Sequence, residues 1–251
     1  MKTDHPAPRH RRKLRQLWQV AFGDTDAFLD CFYETAFVPE NCLCILDADQ
    51  PIAVLYWIDC QLAEEKLAYI YAVVTDPAHR GRGLCRALME STHDLLRCRG
   101  YAGAVLVPQQ EGLRAMYAGM GYRSCGGLEK FSCAAGDQPV SLRAIGPEEF
   151  ASLRRRMLPE RAVVQEGRGL AFLARQLQFY AGESFLLAAY SEKGILHVME
   201  LLGDPSAAPG ITAALGCREG RFRIPGTSPF AMFHPLASSI HPPEYFGFAF
   251  D

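Results

Sequence analysis

Two hydrophobic periodicities alternate along the chain. Over residues 8–22 apolar side chains recur at helical spacing, with Leu14, Leu17, Trp18 and Phe22 on one side. Gly23-Asp24 interrupts that helix, and Asp24 or Thr25 caps a second one carrying Phe28, Leu29, Phe32 and Phe37. Strands follow over residues 41–46 and 52–58, folded about the polar turn at 47–50 into a hairpin. A second turn at 63–66 leads to a strand at 67–75. Asp76-Pro77 stops it, because proline cannot donate to a ladder. From Gly83 the helical spacing returns at Leu84, Leu88, Ser91 and Leu95, and Gly100 ends that helix. Residues 101–107 are apolar and β-prone, and are predicted to pair in parallel with 67–75. A loop at 108–110, a helix over 111–120 and a strand over 122–131 complete this series.

Residues 133–139 are small and polar with a glycine and a proline, which marks a boundary. A second series follows. It has a strand at 140–145, helices at 148–157 and 168–180, and strands at 185–190 and 195–202 around Glu192-Lys193-Gly194. A helix at 206–215 and strands at 221–224, 230–233 and 245–250 end it. The predicted fold class is α/β (α+β). It has two domains, 1–134 and 138–251, each a mixed sheet flanked by helices.

Composition narrows the function. The chain has 251 residues, 49% hydrophobic and 22% charged, which is ordinary for a globular protein. A formal net charge of -2 leaves no basic footprint for nucleic acid. No apolar run approaches the roughly 20 residues of a membrane span, so no membrane partner is expected. The basic run from Arg9 to Arg15 has no apolar core behind it and reads as a solvated helix face rather than a secretory signal. Nine cysteines without a Cys-x-x-Cys pair read as reduced thiols of a cytoplasmic protein. The seven histidines show no ligand spacing, and no metal is expected.

The candidate chemistry lies between the strand at 67–75 and the helix after it. Gly81 and Gly83 sit at the helix start, with Arg80, Arg82 and Arg86 around them. A helix N-terminus offers unpaired N–H groups and partial positive charge. Glycines let the backbone aim several amides at one anion. This geometry asks for a phosphate or pyrophosphate; for these residues alone, solvated arginines at a surface helix start are the alternative. No Gly-x-x-x-x-Gly-Lys-Ser/Thr loop is present, and Arg86 stands where Gly-x-Gly-x-x-Gly needs its third glycine. Cys85 is either a thiol of lowered pKa at a helix start or simply a small buried residue.

Arg80-Gly81-Arg82-Gly83-Leu84-Cys85 resembles the Arg/Gln-x-x-Gly-x-Gly/Ala acyl-CoA pyrophosphate loop of the GNAT superfamily of N-acetyltransferases. Cys85 departs from it in the last small-residue place. The run Gln110-Glu111-Gly112-Leu113-Arg114-Ala115-Met116-Tyr117-Ala118-Gly119-Met120-Gly121-Tyr122 resembles the superfamily's second signature: a polar residue, a helix with a tyrosine, then Gly-aromatic. Gln110 stands where many members have Asn. The element order through residue 134 is also that of a GNAT domain. Residues 78–88, with Glu111-Gly112, are similar to the enhanced-intracellular-survival type, which carries two tandem GNAT-like domains and then a sterol-carrier-like one. The likeness covers the first two of these. In the second half, Asp204-Pro205-Ser206-Ala207-Ala208-Pro209 holds no glycine-arginine turn, so this copy is expected to be degenerate and not to bind CoA.

The resemblance implies an acetyl-CoA-dependent N-acetyltransferase. Backbone groups of Val73, Val74 and Thr75 would lie beside the pantetheine arm. Arg80 and the amides of Gly81, Arg82, Gly83, Leu84, Cys85 and Arg86 would hold the pyrophosphate, with Gln110 at the start of the second signature. Tyr117 matches the tyrosine that protonates the departing thiolate, a core packing role being its alternative. The strand before the loop offers Tyr69 and Tyr71 but no carboxylate as base. In the enhanced-intracellular-survival type the terminal carboxylate lies near the tyrosine. The apolar tail from Tyr245 to Asp251 is therefore expected to dock as a strand and bring Asp251 to the site, an ordinary edge strand being the alternative. Glu111 is a second candidate base, though a first-turn glutamate also pairs with the helix dipole. The acceptor is a small-molecule amine, an aminoglycoside-like molecule, or a lysine or N-terminal amine, with Glu64, Glu65, Tyr56 and Trp57 as candidate walls. The second domain would wall the acceptor cleft and support self-association into a homo-oligomer. The rival function is an acyl-CoA sensor or scaffold without catalysis; transfer of a longer acyl group is a third.

Overall fold

The computed structural model describes residues 1–249. The first half runs β1 (Lys2–Asp4), α1 (Arg11–Phe22), α2 (Asp26–Thr35), β2 (Cys42–Asp47), β3 (Gln50–Leu62), β4 (Glu65–Thr75), α3 (Leu84–Cys98), β5 (Gly103–Leu106), α4 (Glu111–Ala118) and β6 (Arg123–Ala134). The second half runs β7 (Arg143–Ile145), α5 (Pro147–Met157), β8 (Val163–Val164), α6 (Gly167–Leu173), β9 (Gln178–Ala181), β10 (Phe185–Glu192), β11 (Ile195–Gly203), α7 (Ala208–Ala214) and β12 (Glu219–Pro235). Thr25 caps α2 as expected, its Oγ1 accepting from the Phe28 amide at 3.2 Å. No helix among the described residues is long and apolar enough to cross a membrane. All nine cysteines are free.

The strands form one mixed sheet in the order β1-β2-β3-β4-β5-β12-β11-β10-β9-β7. β4 and β5 pair in parallel, as the sequence predicts, but only over Leu67–Tyr69 against Gly103–Val105. The seventeen-residue β12 was not legible as one strand. Its first part pairs in parallel with β11, its last part antiparallel with β5, and β6 runs antiparallel along nearly all of it. The β6–β12 ladder shifts register between Pro225 and Pro229, where two residues without N–H groups leave room for a bulge.

Four apolar clusters fill the layers. α1 and α2 pack on one face of the first half through Leu14, Trp18, Leu29 and Phe32; α3 and α4 cover the other through Leu84, Leu88, Leu96 and Tyr117. In the second half α5 and α6 cover one face, and α7 covers part of the other. β12 contributes Ala231 and Phe233 to the first cluster, Met232 to the second and Phe222 to the fourth.

Two expected elements differ. The helix expected over 168–180 stops at Leu173, and residues 178–181 form β9 instead. Leu177 keeps its apolar place in the core from the connecting turn, so the spacing mimicked a longer helix. The tail does not dock as a strand. Tyr245 makes one bridge to Ala162, and the chain then folds back so that a Cβ at Gly247 would lie 2.1 Å from the Tyr245 hydroxyl. Tyr245, Phe246, Phe248 and Ala249 are nonetheless buried. Tyr245 donates to Glu200 at 3.0 Å, and Glu200 holds Arg154 in a fully buried bidentate pair at 2.6 and 2.9 Å. The Arg154 guanidinium lies 5.0 Å from the Phe248 ring. Each oxygen of the carboxylate is hydrogen-bonded, which offsets part of the cost of burying the pair, while Arg154 Nη1 is buried with no hydrogen-bond partner among the described residues.

β12 is tied to α3 by aromatic contacts. His234 stacks flat on His93 at 4.3 Å, and His93 shares a hydrogen bond with the Tyr122 hydroxyl at 2.9 Å. Burial, with the neighbouring His234 and Arg97 adding to it, lowers the His93 pKa to about 3, and burial lowers that of His234 too. Folding therefore favours the neutral rings. Their contribution to stability is complete above the unfolded value near 6.5 and is lost as pH falls toward the lowered folded values. His93 adds a slope of up to about 1.4 kcal/mol per pH unit in that window, and the more exposed His234 adds less. Urea titrations between pH 7 and pH 4 are expected to show stability falling on acidification. His93→Gln should flatten that slope, and an unchanged slope refutes the assignment.

Candidate active site

β4 carries the first feature of the site. Its pairing with β3 jumps from Val54–Val74 to Tyr56–Tyr71, so Ala72 and Val73 bulge opposite one residue. Ala72 sits at φ 48, in the left-handed region that costs a non-glycine residue about 1–2 kcal/mol. On the other side, pairing with β5 ends at Tyr69, so the two parallel strands diverge beside this bulge. A cavity of about 510 Å³ opens at that point. Val73, Val107, Pro108, Leu113 and Tyr117 line one part of it; Trp18, Phe22, Asp24, Phe28 and Tyr71 line another. Leu177, Tyr190, Met199 and Arg223 of the second half, with Ala249 of the tail, close the remaining side.

The glycine-arginine turn comes directly after β4. The Asp76 side chain accepts from the Ala78 amide at 3.0 Å and from Lys13 Nζ at 2.9 Å, which fixes the turn's first residues. Gly81 and Gly83 adopt φ of 74 and 75, and Gly83 is the N-cap of α3. No atom lies within 4 Å of a Cβ built at either, so conformation rather than space requires glycine here. The first amides of α3, beginning at Leu84, lie beyond the helix's own hydrogen-bond ladder. Arg80 and Arg82 are exposed. Arg80 Nε donates to the Thr75 carbonyl at 3.3 Å, and Arg86 donates to the Gly119 carbonyl at 3.0 Å, so Arg86 also ties α3 to the end of α4. These groups are the exposed start of α3, directly after the end of β4.

The other predicted residues divide between the cavity wall, the core and the surface. Val73 lines the cavity, Val74 points into the core, and Thr75 is half-buried at the strand end. Tyr117 is 6% exposed, at the cavity wall, with its ring edge-on to Tyr122 at 5.8 Å. Burial pushes its pKa well up, so the phenol stays protonated. Its hydroxyl makes no hydrogen bond among the described residues. Cys85 is half-buried, and burial raises its thiol, which removes the reactive reading. Gln110 is the exposed N-cap of α4, whereas its neighbour Gln109 lines the cavity. Exposed Glu111 pairs with Arg114 at 3.2 Å. Asp251 lies outside the described residues.

The acidic and aromatic wall proposed from the hairpin is not at this cavity. Tyr56 and Trp57 are core residues bound to Tyr33 and Tyr101, and Glu64 sits at the far end of β4, on a separate concavity. Asp24 supplies the carboxylate instead. It is half-buried, and its Oδ2 accepts from Trp18 Nε1 at 2.7 Å. In the sequence Asp24 reads only as a helix-capping residue, and nothing there separates it from other aspartates next to a glycine.

Gly83→Ala is expected to cost about 1 kcal/mol in urea unfolding although it meets no atom, because only the backbone angle is penalised. A cost near zero removes the left-handed turn from the description.

Residues 7–125 match the model of a family described as an acetyltransferase (GNAT) domain. No curated protein matches the sequence significantly. Among solved structures, a GCN5-related N-acetyltransferase from Kribbella flavida is 18% identical with a TM-score of 0.72, the match covering 94% of this chain and 72% of that one. Eis1 from Mycobacterium abscessus is 12% identical with a TM-score of 0.68, covering 94% and 74%. A tandem GNAT protein from the clavulanic acid biosynthesis pathway is 10% identical with a TM-score of 0.58, covering 95% and 100%.

Proposed function

Taking residues 7–125 as a GNAT acetyltransferase domain, we propose that this chain is an acetyl-CoA-dependent N-acetyltransferase acting on an amine acceptor. The observation that carries the proposal is that the buried phenol of Tyr117 and the β4 bulge at Val73 line one cavity where β4 and β5 diverge. The glycine-arginine turn at Arg80–Arg86 follows directly on the same strand and is taken as its anion cradle. The chemistry of these groups fits CoA. The cradle suits the pyrophosphate, and the half-buried bulge at Ala72 and Val73, which lines the cavity beyond the β5 pairing, suits the amides of the pantetheine arm. Gln109, which lines the cavity, is the better candidate than Gln110 for a contact to that arm. Bound there, acetyl-CoA supplies an activated acetyl thioester.

In the transfer the amine nitrogen attacks the thioester carbonyl carbon. The C–N bond forms, the C–S bond breaks, one amine proton goes to a base, and the sulfur takes a proton or a strong hydrogen bond. Tyr117, held neutral by burial, is the donor to the sulfur. The same dry surroundings raise the basicity of the leaving thiolate, which offsets the weaker acidity of the buried phenol. Asp24 brings to the cavity the carboxylate that residues 67–75 lack, beside the rings of Trp18, Phe22, Phe28 and Tyr71 that favour a cation. This favours the catalytic reading over the sensor. Asp24 binds the acceptor ammonium and is the first candidate for receiving its proton. Asp251, two residues beyond the cavity-lining Ala249, is the second. Nine free thiols fit a reducing compartment, and a cytoplasmic location is part of the proposal.

Saturating acetyl-CoA at about 100 Kd should stabilise the protein by about 2.7 kcal/mol, read as a rise in Tm. S-acetylpantetheine, which lacks the pyrophosphate, should give a much smaller rise. Equal shifts, or none, overturn the cradle assignment. Tyr117→Phe is expected to lower kcat by about 10²–10³-fold while keeping the acetyl-CoA Tm shift. Unaltered turnover removes Tyr117 from the chemistry. Asp24→Asn should raise the acceptor KM at least tenfold, and Asp251→Asn should leave it unless the tail is the base. Retained affinity in Asp24→Asn excludes its ammonium role.

A further inference from the structure

Elements of both halves wall the cavity away from the β4–β5 opening. α1, α2 and the turn between them supply Phe22, Asp24 and Phe28. α6 and the turn after it supply Leu173 and Leu177, and β10 and β11 supply Tyr190 and Met199. Packing explains why these side chains meet. The Phe28 ring lies edge-on to Phe172 of α6 at 5.3 Å, and Gln176 donates to the Cys31 sulfur at 3.5 Å, so α2 and α6 are held together. On the sheet, the β10–β11 register shifts between Ala188 and Ala189, which leaves Met199 without a partner residue. Beyond this bulge Tyr190 is exposed, and its ring lies flat on His197 at 4.7 Å.

Charge is scarce on this wall. Asp24 is the only carboxylate among the described residues that line the cavity. Its Oδ2 accepts from Trp18 Nε1, and its Oδ1 has no partner among the described residues. Arg223 also lines the cavity, but it is already engaged, its guanidinium lying 5.8 Å from the Phe230 ring. Gln109 and Gln176 are neutral. The rest is hydrocarbon, aromatic ring and the thioether of Met199.

On the reading of this cavity as the acceptor site of an N-acetyltransferase, we infer that the acceptor is a monoamine: one ammonium group on an apolar body, with no second charge. The ammonium pairs with Asp24 Oδ1. The body lies along Phe22, Phe28, Leu177 and Met199, where burying each methylene favours binding about fourfold. Ring–ring and sulfur–ring contacts favour an aromatic body over an alkyl one of the same size. A polyamine or an aminoglycoside would bring a second ammonium to this wall. It would lose its hydration there and meet no second carboxylate among the described residues. The second half thus sets acceptor specificity without binding CoA.

Isosteric amines test this with the full-length protein and acetyl-CoA. n-Hexylamine and cadaverine have equal numbers of heavy atoms and differ by one ammonium. Ethylamine, n-butylamine and n-hexylamine vary the apolar length, and 2-phenylethylamine replaces the chain by a ring. The expected kcat/KM is at least tenfold higher for n-hexylamine than for cadaverine. It should rise about fourfold per methylene from ethylamine to n-butylamine and be highest for 2-phenylethylamine. Tyr190→Ala and Met199→Ala should each raise KM for 2-phenylethylamine at least fivefold more than for ethylamine. Tyr190 is exposed, so the first variant guards against a folding defect in the second. Equal or better turnover of cadaverine, of kanamycin or of a lysine peptide overturns the inference and leaves the acetyltransferase reading standing. So does a kcat/KM that falls along the alkyl series, or an equal loss for both amines in both variants. An acetyl-CoA Tm shift without turnover of any of these amines overturns it too. Loss of both turnover and the Tm shift removes the acetyltransferase reading and this inference with it.

Discussion

The pairing of β12 with β5 is the constraint on which the rest depends. β5 has four residues, and three of them pair with β4. Alone it would be a short edge strand at the very place where the sheet must hold a cavity open. Met232–Pro235 of β12 covers its outer edge along its whole length. The fit is close: a Cβ at Gly103 would lie 2.4 Å from the Phe233 ring. One wall of the β4–β5 opening is therefore supported by a strand that begins in the second half. β12 reaches it only because β6 runs alongside through the register shift at Pro225–Pro229. A strand of the second half thus completes the sheet of the first, and the cavity is lined from both halves.

The two halves also repeat one local unit. After β4, Asp76 caps the turn at Pro77 by accepting from the amide two residues on; after β11, Asp204 does the same for Ser206 at Pro205, at 2.9 Å. Each turn leads into a helix, and each strand pairs in parallel with the next strand of its half before the pairing stops, at Tyr69–Val105 and at Val198–Phe222. Beyond the turn the two units differ. The first half inserts Arg80–Gly83, with two left-handed glycines, ahead of a fifteen-residue helix. The second passes straight into a seven-residue helix. The remainder of β11 turns Glu200 toward Arg154 and Tyr245, so the stretch that would face a ligand in the first half holds the tail in the second. The same strand-turn-helix thus carries the glycine-arginine turn of the proposed cradle in one setting and a structural clamp in the other.

Much of this was legible in the sequence because it is local. The strand before Asp76, the glycine pair, the α3 face and the Tyr117 helix each arise from residues within a few positions of one another. The missing cradle of the second half was evident from the absence of glycine and arginine after Asp204. The features that were not legible depend on long-range pairing. Residues 221–224 and 230–233 read as two strands because Pro225 and Pro229 interrupt the pattern, yet both belong to β12. Asp24 becomes a cavity residue only when Trp18 and the β4 bulge are brought beside it. Arg223 becomes one only through its register with Lys130 and its place beside Met199. The tail's departure from a strand rests on Gly247 packing under its own Tyr245, a contact that no periodicity reports.

The charges of the cavity also set the conditions for the proposed chemistry. A carboxylate beside an ammonium stabilises the protonated amine, which strengthens binding and opposes attack, since only the neutral amine is nucleophilic. Burial among Trp18, Phe22, Phe28 and Tyr71 acts in the opposite sense by disfavouring charge. The balance depends on where the nitrogen sits. Near Asp24 the ion pair dominates; nearer Val73 and Tyr117 the surroundings are apolar, and the proton is more easily given up.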